Sequence, residues 1–362
     1  MGLRVKTLGL RDWRNFEEKS IDFCDGMTIL VGPNAVGKTN TVEALQMLTA
    51  GSSFRKPKPS QQIREDCESA KIRARLEGDG RVIDVACEVE PTRRRFFRNG
   101  KKCAALDLPA TLMSVLFNPD DLSFVKRGAS YRRDELDGFG RQANAGYAKV
   151  LSAYLRSVEQ RNRLLKEDYP DLALLDAWDA SVALGGATLL AARLRLFERL
   201  RTHLREVYGQ IAGGEQLDCT YVSSLGEDLS GSSRDEICDL FARRLQEERD
   251  TDLRRQQTTL GPQRDDVSFT IDGRDARAFG SQGQQRSIVL AWKMAEVALS
   301  REIVGEQPLL LLDDVMSELD EKRRNAMTRF VQSGIQTVVT TTNLGYFPDE
   351  LLEEAKVVNV VG

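Results

Sequence analysis

The sequence lacks any long apolar run. No segment approaches the ~18 consecutive apolar residues that span a bilayer, and the N-terminal segment alternates charged with apolar residues instead of presenting the apolar core of a secretion signal. The six cysteines form neither a CxxC pair nor the spacing of a metal site, and scattered cysteines of this kind indicate a reducing compartment. We therefore expect a cytoplasmic protein.

An excess of charge of one sign is also missing. The 52 Lys and Arg residues nearly balance 55 Asp and Glu residues, so a polyanionic partner would have to be held by local basic patches. The single histidine, His203, lies in a segment with helical periodicity, where a surface or packing position is expected. With 41% hydrophobic residues over 362 positions, the chain is predicted to fold, and into more than one domain.

The first part of the chain shows strand patterns. Residues 3–10 and 26–31 are predicted strands, and a helix is expected from about Gly37. Residues 71–100 alternate polar and apolar side chains around Gly-Asp-Gly and Asn-Gly, which are typical hairpin turns. A small antiparallel β lobe is therefore predicted in this part of the chain.

Helical periodicity follows over residues 141–256, with Pro170 and Gly185-Gly186 as predicted breaks between helices. Strand patterns resume at Val267, and a helix is expected from Ser281. The sequence thus predicts an α/β protein whose head domain is interrupted by an inserted all-helical arm domain. The predicted boundaries are 1–140 plus 257–362 for the head, with the β lobe at about 60–125, and 141–256 for the arm.

The segment GPNAVGKT, from Gly32 to Thr39, fits the phosphate-binding pattern GxxxxGK[ST] and lies between a predicted strand and a predicted helix. Backbone N–H groups of such a loop and the positive end of the helix cradle phosphates. Lys38 would reach the β and γ phosphates, and the Thr39 hydroxyl would ligate Mg²⁺. The alternative is a glycine-rich turn that arose by chance, which the strand and helix on either side disfavour.

The segment LLLLDDVMSELD supplies the acidic partner that such a loop needs. Four leucines predict a buried strand, and Asp313 and Asp314 follow at its carboxyl end, where ligands bind in open parallel sheets. Asp313 is the predicted Mg²⁺ contact, and Asp314 is placed to orient or polarise an attacking water. An acidic cap after a core strand is the alternative interpretation of this segment alone.

The distances between motifs along the chain indicate a function for the segment around Ser281. Lys38 and Asp313 are 313 − 38 = 275 residues apart, so a large insertion separates them, whereas Ser281 precedes Asp313 by 313 − 281 = 32 residues. A helix start capped by Ser281, with Gly283 in its first turn, is a second anion site that a twofold-related copy could use to complete one ATP site. Asp320 would lie near the same interface. An ordinary capped helix is the alternative.

Together these segments resemble the ABC-type ATPase heads of the SMC and Rad50 class, and most closely the RecF family. The resemblance spans essentially the whole chain. It rests on LRDWRNF (10–16), GPNAVGKT, SSFR (52–55), FNPDDLSFVKRG (117–128), RRDELD (132–137), GPQRDD (261–266), SQGQQR (281–286) and LLLLDDVMSELD.

The resemblance implies an ABC-type P-loop head, an ATP-dependent homodimer and slow, DNA-stimulated ATP hydrolysis. It also implies binding to double-stranded, gapped or junction DNA, and recombinase loading with RecR-type and RecO-type mediator proteins in repair and replication restart. The implied ATP-binding residues are Gly32, Pro33, Asn34, Ala35, Val36, Gly37, Lys38, Thr39, Asn40 and Arg14; the implied signature in trans is Ser281, Gly283 and Gln284, with Asp320 in the D-loop.

Two positions, Gln263 and Glu135, depart from the family pattern, and the segment after the last core strand departs from the pattern of transporter ATPases. Gln263 stands where the family usually has His, and Glu135-Leu136 stand where a Phe-Leu pair is usual. Transporter ATPases usually carry a switch histidine after the last core strand, whereas here VVTTTN offers Thr342 as a possible γ-phosphate sensor.

Candidate DNA contacts lie in two basic clusters, which would bind a duplex backbone without reading its sequence, although solvated polar faces are the alternative. They are Arg93, Arg94, Arg95, Arg98, Lys101 and Lys102 in the hairpin segment, and Arg132 with Arg133.

Two other functions remain open at this point. A transporter ATPase subunit is disfavoured by the missing switch histidine and by the 116-residue helical segment (256 − 141 + 1 = 116). A long-armed chromosome or break-repair ATPase is disfavoured because the arm is short and lacks a CxxC for a metal hook. Membrane co-purification would favour the transporter, and ATP-dependent DNA binding the RecF-type protein.

Overall fold

The computed structural model describes residues 2–360, and the chain divides into two compact units. The first unit comprises Met1–Ser123 and Arg286–Gly362, and the second comprises Phe124–Gln285. The strands are β1 (Arg4–Trp13), β2 (Phe16–Asp22), β3 (Met27–Val31), β4 (Ala70–Gly78), β5 (Arg81–Glu90), β6 (Arg93–Arg98), β7 (Lys101–Cys103), β8 (Ser114–Phe117), β9 (Leu217–Val222), β10 (Asp266–Ile271), β11 (Arg274–Asp275), β12 (Leu309–Asp313), β13 (Thr337–Thr341) and β14 (Lys356–Asn359). The helices are α1 (Lys38–Ala50), α2 (Ala129–Ala143), α3 (Ala145–Leu164), α4 (Leu172–Ala212), α5 (Arg234–Glu247), α6 (Arg249–Arg255), α7 (Gln282–Val304), α8 (Glu321–Val331) and α9 (Asp349–Glu354).

An antiparallel sheet in the order β2-β1-β4-β5-β6-β7 forms one layer of the first unit. In β4, alternate side chains from Ala70 to Leu76 are buried, as expected for a sheet with one face on the core. The predicted hairpin turns are confirmed: Asp79-Gly80 and Asn99-Gly100 join neighbouring strands with positive φ at each central residue.

A parallel sheet in the order β14-β3-β13-β12-β8 forms the other sheet of the first unit. All five residues of β12 are buried, which explains its four consecutive leucines. Strand β13 lies between β3, which leads into the P-loop, and β12, which ends at Asp313. The carboxyl ends of these three strands therefore meet at one edge of the sheet.

The second unit is not all-helical, which corrects the prediction for the arm. Helices α3, α4 and α5 share a buried core, but the unit also holds a three-stranded sheet in the order β11-β10-β9. Strand β9 lies inside the segment that helical periodicity had assigned to helices. The unit extends over 124–285 instead of 141–256, because α2 and β10 pack within it.

Helix α4 runs without a break through Gly185 and Gly186, where the sequence predicted one, whereas Pro170 does lie between α3 and α4. A Cβ on Gly186 would lie 2.4 Å from Phe241 Cε1, so this glycine permits close packing of α4 against α5. Helix α4 is long and apolar enough to cross a membrane by composition, but half of that stretch is buried in the protein, as in a core helix.

Candidate nucleotide site

The P-loop connects β3 to α1 with two residues in the left-handed region, Ala35 (φ 66°) and Gly37 (φ 107°). A Cβ on Gly37 would lie 2.3 Å from Phe16 Cζ, so glycine is required there for shape as well as for φ. Lys38 Nζ donates to the carbonyl oxygens of Gly32 and Pro33, at 2.7 Å each. The ammonium group thus lies inside the curve of the loop that would surround a phosphate.

The acidic partner meets the P-loop as the sequence predicted. The Thr39 hydroxyl donates to Asp313 Oδ1 at 3.0 Å, across 274 residues of sequence, and the Thr340 hydroxyl donates to the same oxygen at 2.8 Å. Burial raises the pKa of Asp313, and the two hydroxyl donors oppose that shift. Thr340, on β13, is a site residue that sequence reasoning missed, because its position became apparent only from the strand order.

Asp314 occupies the left-handed region at φ 52°, and its backbone N–H donates to the Thr340 hydroxyl at 2.9 Å. Its Oδ1 is buried and has no hydrogen-bond partner among residues 2–360. Burial raises the pKa of Asp314, with Lys38 opposing and Glu318 adding to the shift. Burial also lowers the pKa of Lys38, against the pull of both carboxylates. An unsatisfied buried carboxylate oxygen is costly, which suggests that it serves a group that binds here.

The donor set fits Mg²⁺. A hydroxyl and a carboxylate, Thr39 and Asp313, supply the hard oxygen ligands that this ion prefers, and the remaining positions would be left to water and phosphate oxygens. Thr39 and Asp313 would therefore hold the ion that the sequence predicted.

Arg14 and Asn40, which the resemblance assigned to ATP, take part in a network around Glu43 on α1. Arg14 forms a bidentate pair with the buried Glu43 carboxylate, at 3.0 and 2.7 Å. Asn40 Oδ1 accepts from Arg55 Nη1 at 2.8 Å, and Arg55 also reaches Glu43. Sequence reasoning missed Glu43, although an acidic residue at an apolar helical position signals a buried ion pair.

The predicted signature turn lies in the second unit and forms the start of α7. Ser281 Oγ accepts from Gln284 N at 3.2 Å, and Ser281 N donates to Gln284 Oε1 at 2.8 Å, a reciprocal capping box. Ser281 is exposed, and Gly283 lies in the first turn. In the first unit, Asp320 caps α8 by accepting from Arg323 N at 3.0 Å. A cap and an anion site use the same exposed helix start, so this geometry is compatible with both interpretations.

The remaining nucleotide candidates lie elsewhere. Thr342 is exposed just beyond β13, where it could meet a ligand that approaches this edge. His203 is a partly exposed residue of α4 in the second unit, as expected for a surface or packing position.

The basic residues on β6 and β7 differ in their availability. Lys101 and Lys102 are exposed, and no hydrogen bond or ion pair engages their side chains within residues 2–360. Arg93 and Arg95 pair with Glu90, and Arg98 Nη1 donates to Thr111 at 3.3 Å. Arg94 is half-buried, because its guanidinium donates to Gln62 Oε1 and to the Pro57 carbonyl, both at 2.6 Å.

Arg132 is buried, which corrects its assignment to DNA. Its guanidinium forms a bidentate pair with Asp266, at 2.7 and 2.8 Å, and Nη1 also donates to the carbonyls of Phe124, Val125 and Arg127. Arg133 is partly buried and donates to the Asp265 carbonyl at 2.5 Å. The segments RRDELD and GPQRDD thus bind each other inside the second unit.

The departures from the family pattern fall in the same region. The Tyr154 hydroxyl donates to Gln263 Oε1, and Gln263 Nε2 donates to the Leu260 carbonyl at 2.8 Å. Glu135 lies partly buried on α2, and Leu136 is fully buried. Gln263 is therefore held by groups of its own unit.

Known proteins resemble this chain in sequence and in fold. A family model described as the RecF/RecN/SMC N terminal domain matches residues 4–359. The DNA replication and repair protein RecF of Heliobacterium modesticaldum is 37% identical over 367 residues, which cover 99% of this chain and 97% of that protein. The RecF protein of Symbiobacterium thermophilum is 38% identical over 346 residues, covering 94% and 92%.

Solved structures extend the comparison. A structure of the recombination mediator protein RecF-ATPrS in the RecFOR pathway superposes with a TM-score of 0.90 and 30% identity, covering 96% of this chain and 94% of that one. An Smc head domain with an extended coiled coil from Pyrococcus furiosus gives a TM-score of 0.54 at 15% identity, over 99% and 94%, and shares the fold alone. The predicted α/β head of ABC type is therefore confirmed.

Proposed function

This chain belongs to the RecF family within the RecF/RecN/SMC proteins, and from that premise we propose that it is an ATP-binding DNA replication and repair protein. The contact that carries the proposal is the 3.0 Å hydrogen bond from Thr39 to Asp313, which joins the P-loop to the acidic strand end. Relatives that match nearly the full chain carry the RecF name, and a neighbour was solved with ATP. A transporter subunit or another SMC-like ATPase is not favoured. The Smc head domain is only 15% identical to this chain and shares its fold alone.

Each group in the nucleotide site has a task in this proposal. The Lys38 ammonium exchanges its hydrogen bonds to two loop carbonyls for hydrogen bonds to β and γ phosphate oxygens. The negative phosphates then stabilise the positive charge that burial of Lys38 disfavours. Mg²⁺, held by Thr39 and Asp313, would neutralise charge on the β and γ phosphates. The free Oδ1 of Asp314 accepts a proton from, or orients, the attacking water.

The site is proposed to be completed by a second copy. One chain supplies the P-loop, Asp313 and Asp314, and its partner supplies the exposed helix start at Ser281, whose hydroxyl and first-turn N–H groups suit an anion. Twofold symmetry then makes two such sites, and Asp320 is expected near the same interface. ATP binds the dimer more tightly than the monomer, so it shifts the population towards dimers, and hydrolysis reverses the shift.

Sedimentation with and without ATP tests the composite site. The wild type should dimerise with ATP, Lys38→Arg should bind the phosphates more weakly and lose dimerisation, and Ser281→Arg should bind ATP as a monomer. If Ser281→Arg dimerises with ATP as the wild type does, the composite site is wrong.

DNA is proposed to bind the β6-β7 hairpin through Lys101 and Lys102, with Arg93, Arg95 and Arg98 in support, at duplex, gapped or junction structures. RecR-type and RecO-type proteins are the proposed partners, in line with the RecFOR pathway of the structural neighbour. Replacing Lys101 and Lys102 by Gln should lower ATP-dependent DNA affinity and reduce the slope of log affinity against log salt by about 1 to 2. Lys149→Gln, on the exposed surface of α3, is the matched control; equal slopes for both variants would refute the assignment.

A further inference from the structure

The link from α4 to β9 places a carboxylate against the predicted signature turn. Glu215 Oε1 accepts from Gln284 Nε2 at 2.9 Å, and Glu215 Oε2 accepts from the Tyr208 hydroxyl at 2.9 Å. Tyr208 is fully buried on the last turns of α4, so it fixes one end of this chain of hydrogen bonds. All three residues belong to the second unit.

The Glu215 contact determines which way the Gln284 amide faces. A carboxylate can only accept, so the amide nitrogen must face Glu215, and the amide oxygen is then left to accept from Ser281 N at 2.8 Å. Gln284 N in turn donates to Ser281 Oγ at 3.2 Å. Because the Ser281 oxygen accepts that bond, its hydroxyl hydrogen remains available, and no group within residues 2–360 takes it. The Ser281 hydroxyl thus keeps a hydrogen that it can donate to a ligand.

The backbone on both sides holds Glu215 in place. Helix α4 ends at Ala212, and the chain turns through Gly213 (φ 70°) and Gly214 (φ 122°), both in the left-handed region. On the other side, Gln216 exchanges hydrogen bonds with Asp272, at 3.0 and 2.9 Å. The carboxylate therefore follows the end of α4 and the β10-β11 turn, with little freedom of its own.

We propose that Glu215 is a positioning residue for the signature turn: through Gln284 it keeps Ser281 in the orientation that donates to a triphosphate bound by the partner subunit. The inference rests on the proposed composite ATP site and adds a residue outside the sequence motifs. It also links the end of the arm helix α4, through Tyr208, to ATP-dependent dimerisation.

A purely electrostatic role of the Glu215 carboxylate would have the opposite effect on dimerisation. A negative charge near a triphosphate repels it, so a purely electrostatic Glu215 would weaken dimerisation, and any neutral substitution would strengthen it. Positioning, in contrast, depends on the acceptor oxygen. Glu215→Gln keeps an oxygen for Gln284 and an amide for Tyr208 while removing the charge, whereas Glu215→Ala removes both. The two variants therefore separate the roles.

The experiment measures the dimer dissociation constant with saturating ATP by sedimentation. We expect Glu215→Ala to raise it about tenfold, which corresponds to one or two lost hydrogen bonds, Tyr208→Phe to raise it about threefold, and Glu215→Gln to restore the wild-type value. Glu227→Ala, an exposed glutamate of the same unit, is the matched control and should leave it unchanged. ATP binding to the monomer, measured with a fluorescent nucleotide at low protein concentration, should be equal in every variant.

Each possible result of the sedimentation experiment supports or contradicts the positioning role of Glu215. A wild type that dimerises while Glu215→Ala dimerises equally well, or while Glu215→Gln is as weak as Glu215→Ala, overturns the positioning role and leaves the composite site standing. A wild type that stays monomeric with ATP overturns both proposals. If Glu215→Ala is misfolded by hydrogen exchange, Tyr208→Phe provides the decision, because its ring still fills the buried position.

Discussion

The neighbouring glycines of α4, Gly185 and Gly186, should respond differently to substitution by alanine. A Cβ on Gly186 would lie 2.4 and 2.9 Å from ring carbons of Phe241 and 3.0 Å from Tyr154 Cε2, whereas the nearest atom to a Cβ on Gly185 is Tyr154 Cα, at 3.7 Å. Both positions are inside a helix, so alanine brings each the same gain of up to about 1 kcal/mol in helix propensity. Only Gly186→Ala adds overpacking, which costs about 1 to 3 kcal/mol.

The two substitutions should therefore differ by about 1 to 3 kcal/mol in the free energy of unfolding, with Gly185→Ala stabilising and Gly186→Ala neutral to destabilising. Hydrogen exchange of α4 and α5 amides in increasing urea measures this locally, which avoids the assumption that both units unfold together. If Gly186→Ala proves as stabilising as Gly185→Ala, then α4 and α5 are not packed as closely as described. The reason given for the unbroken helix would then be wrong.

Three further predictions concern charged groups. Because burial raises the pKa of Asp313, Mg²⁺-dependent ATP binding should weaken on acidification above the ordinary aspartate range of about 3.9, while binding measured in EDTA should not. A carboxyl group whose pKa is higher in the folded than in the unfolded protein stabilises the folded state at pH values below its unfolded pKa. This stabilisation is lost as the pH rises through the folded pKa. Asp313→Asn should therefore raise the neutral-pH melting temperature of the nucleotide-free protein; a lowered one would contradict this. Arg132→Met leaves the partly exposed Asp266 carboxylate and three backbone carbonyls without their donor and should destabilise the second unit by about 1 to 3 kcal/mol, as urea titration would show, whereas a DNA-contacting arginine would alter DNA affinity with stability intact.

The sequence was informative where a pattern has a single structural solution. The P-loop between β3 and α1 and the buried strand that ends at Asp313 were predictable, because phosphate cradles and parallel strands each demand particular residue types. Thr340 was not predictable, since only the strand order β3-β13-β12 brings its hydroxyl to Asp313.

The second unit contains features that the sequence could not predict. Gly185-Gly186 suggested a break, because helix propensity disfavours glycine, but tertiary packing against Phe241 outweighs propensity there. Arg132 looked like a surface cation beside Arg133, and only the fold shows that it is buried and paired with Asp266, which is 134 residues away in the sequence. Local patterns carry no information about partners so distant in the chain.

The order of the strands in the parallel sheet has a consequence for synthesis. Strands β3 and β8 leave the ribosome early, but β12 and β13, which separate them in the sheet, follow the whole second unit. At about 5 to 20 residues per second, the 275 residues from Lys38 to Asp313 correspond to a delay of roughly 14 to 55 seconds after β3. During that time residues 124–285 are synthesised as one continuous stretch, while β3 and β8 lack the strands β13 and β12 with which they pair. Nascent chains of this protein should therefore depend on chaperones for the head and not for the arm.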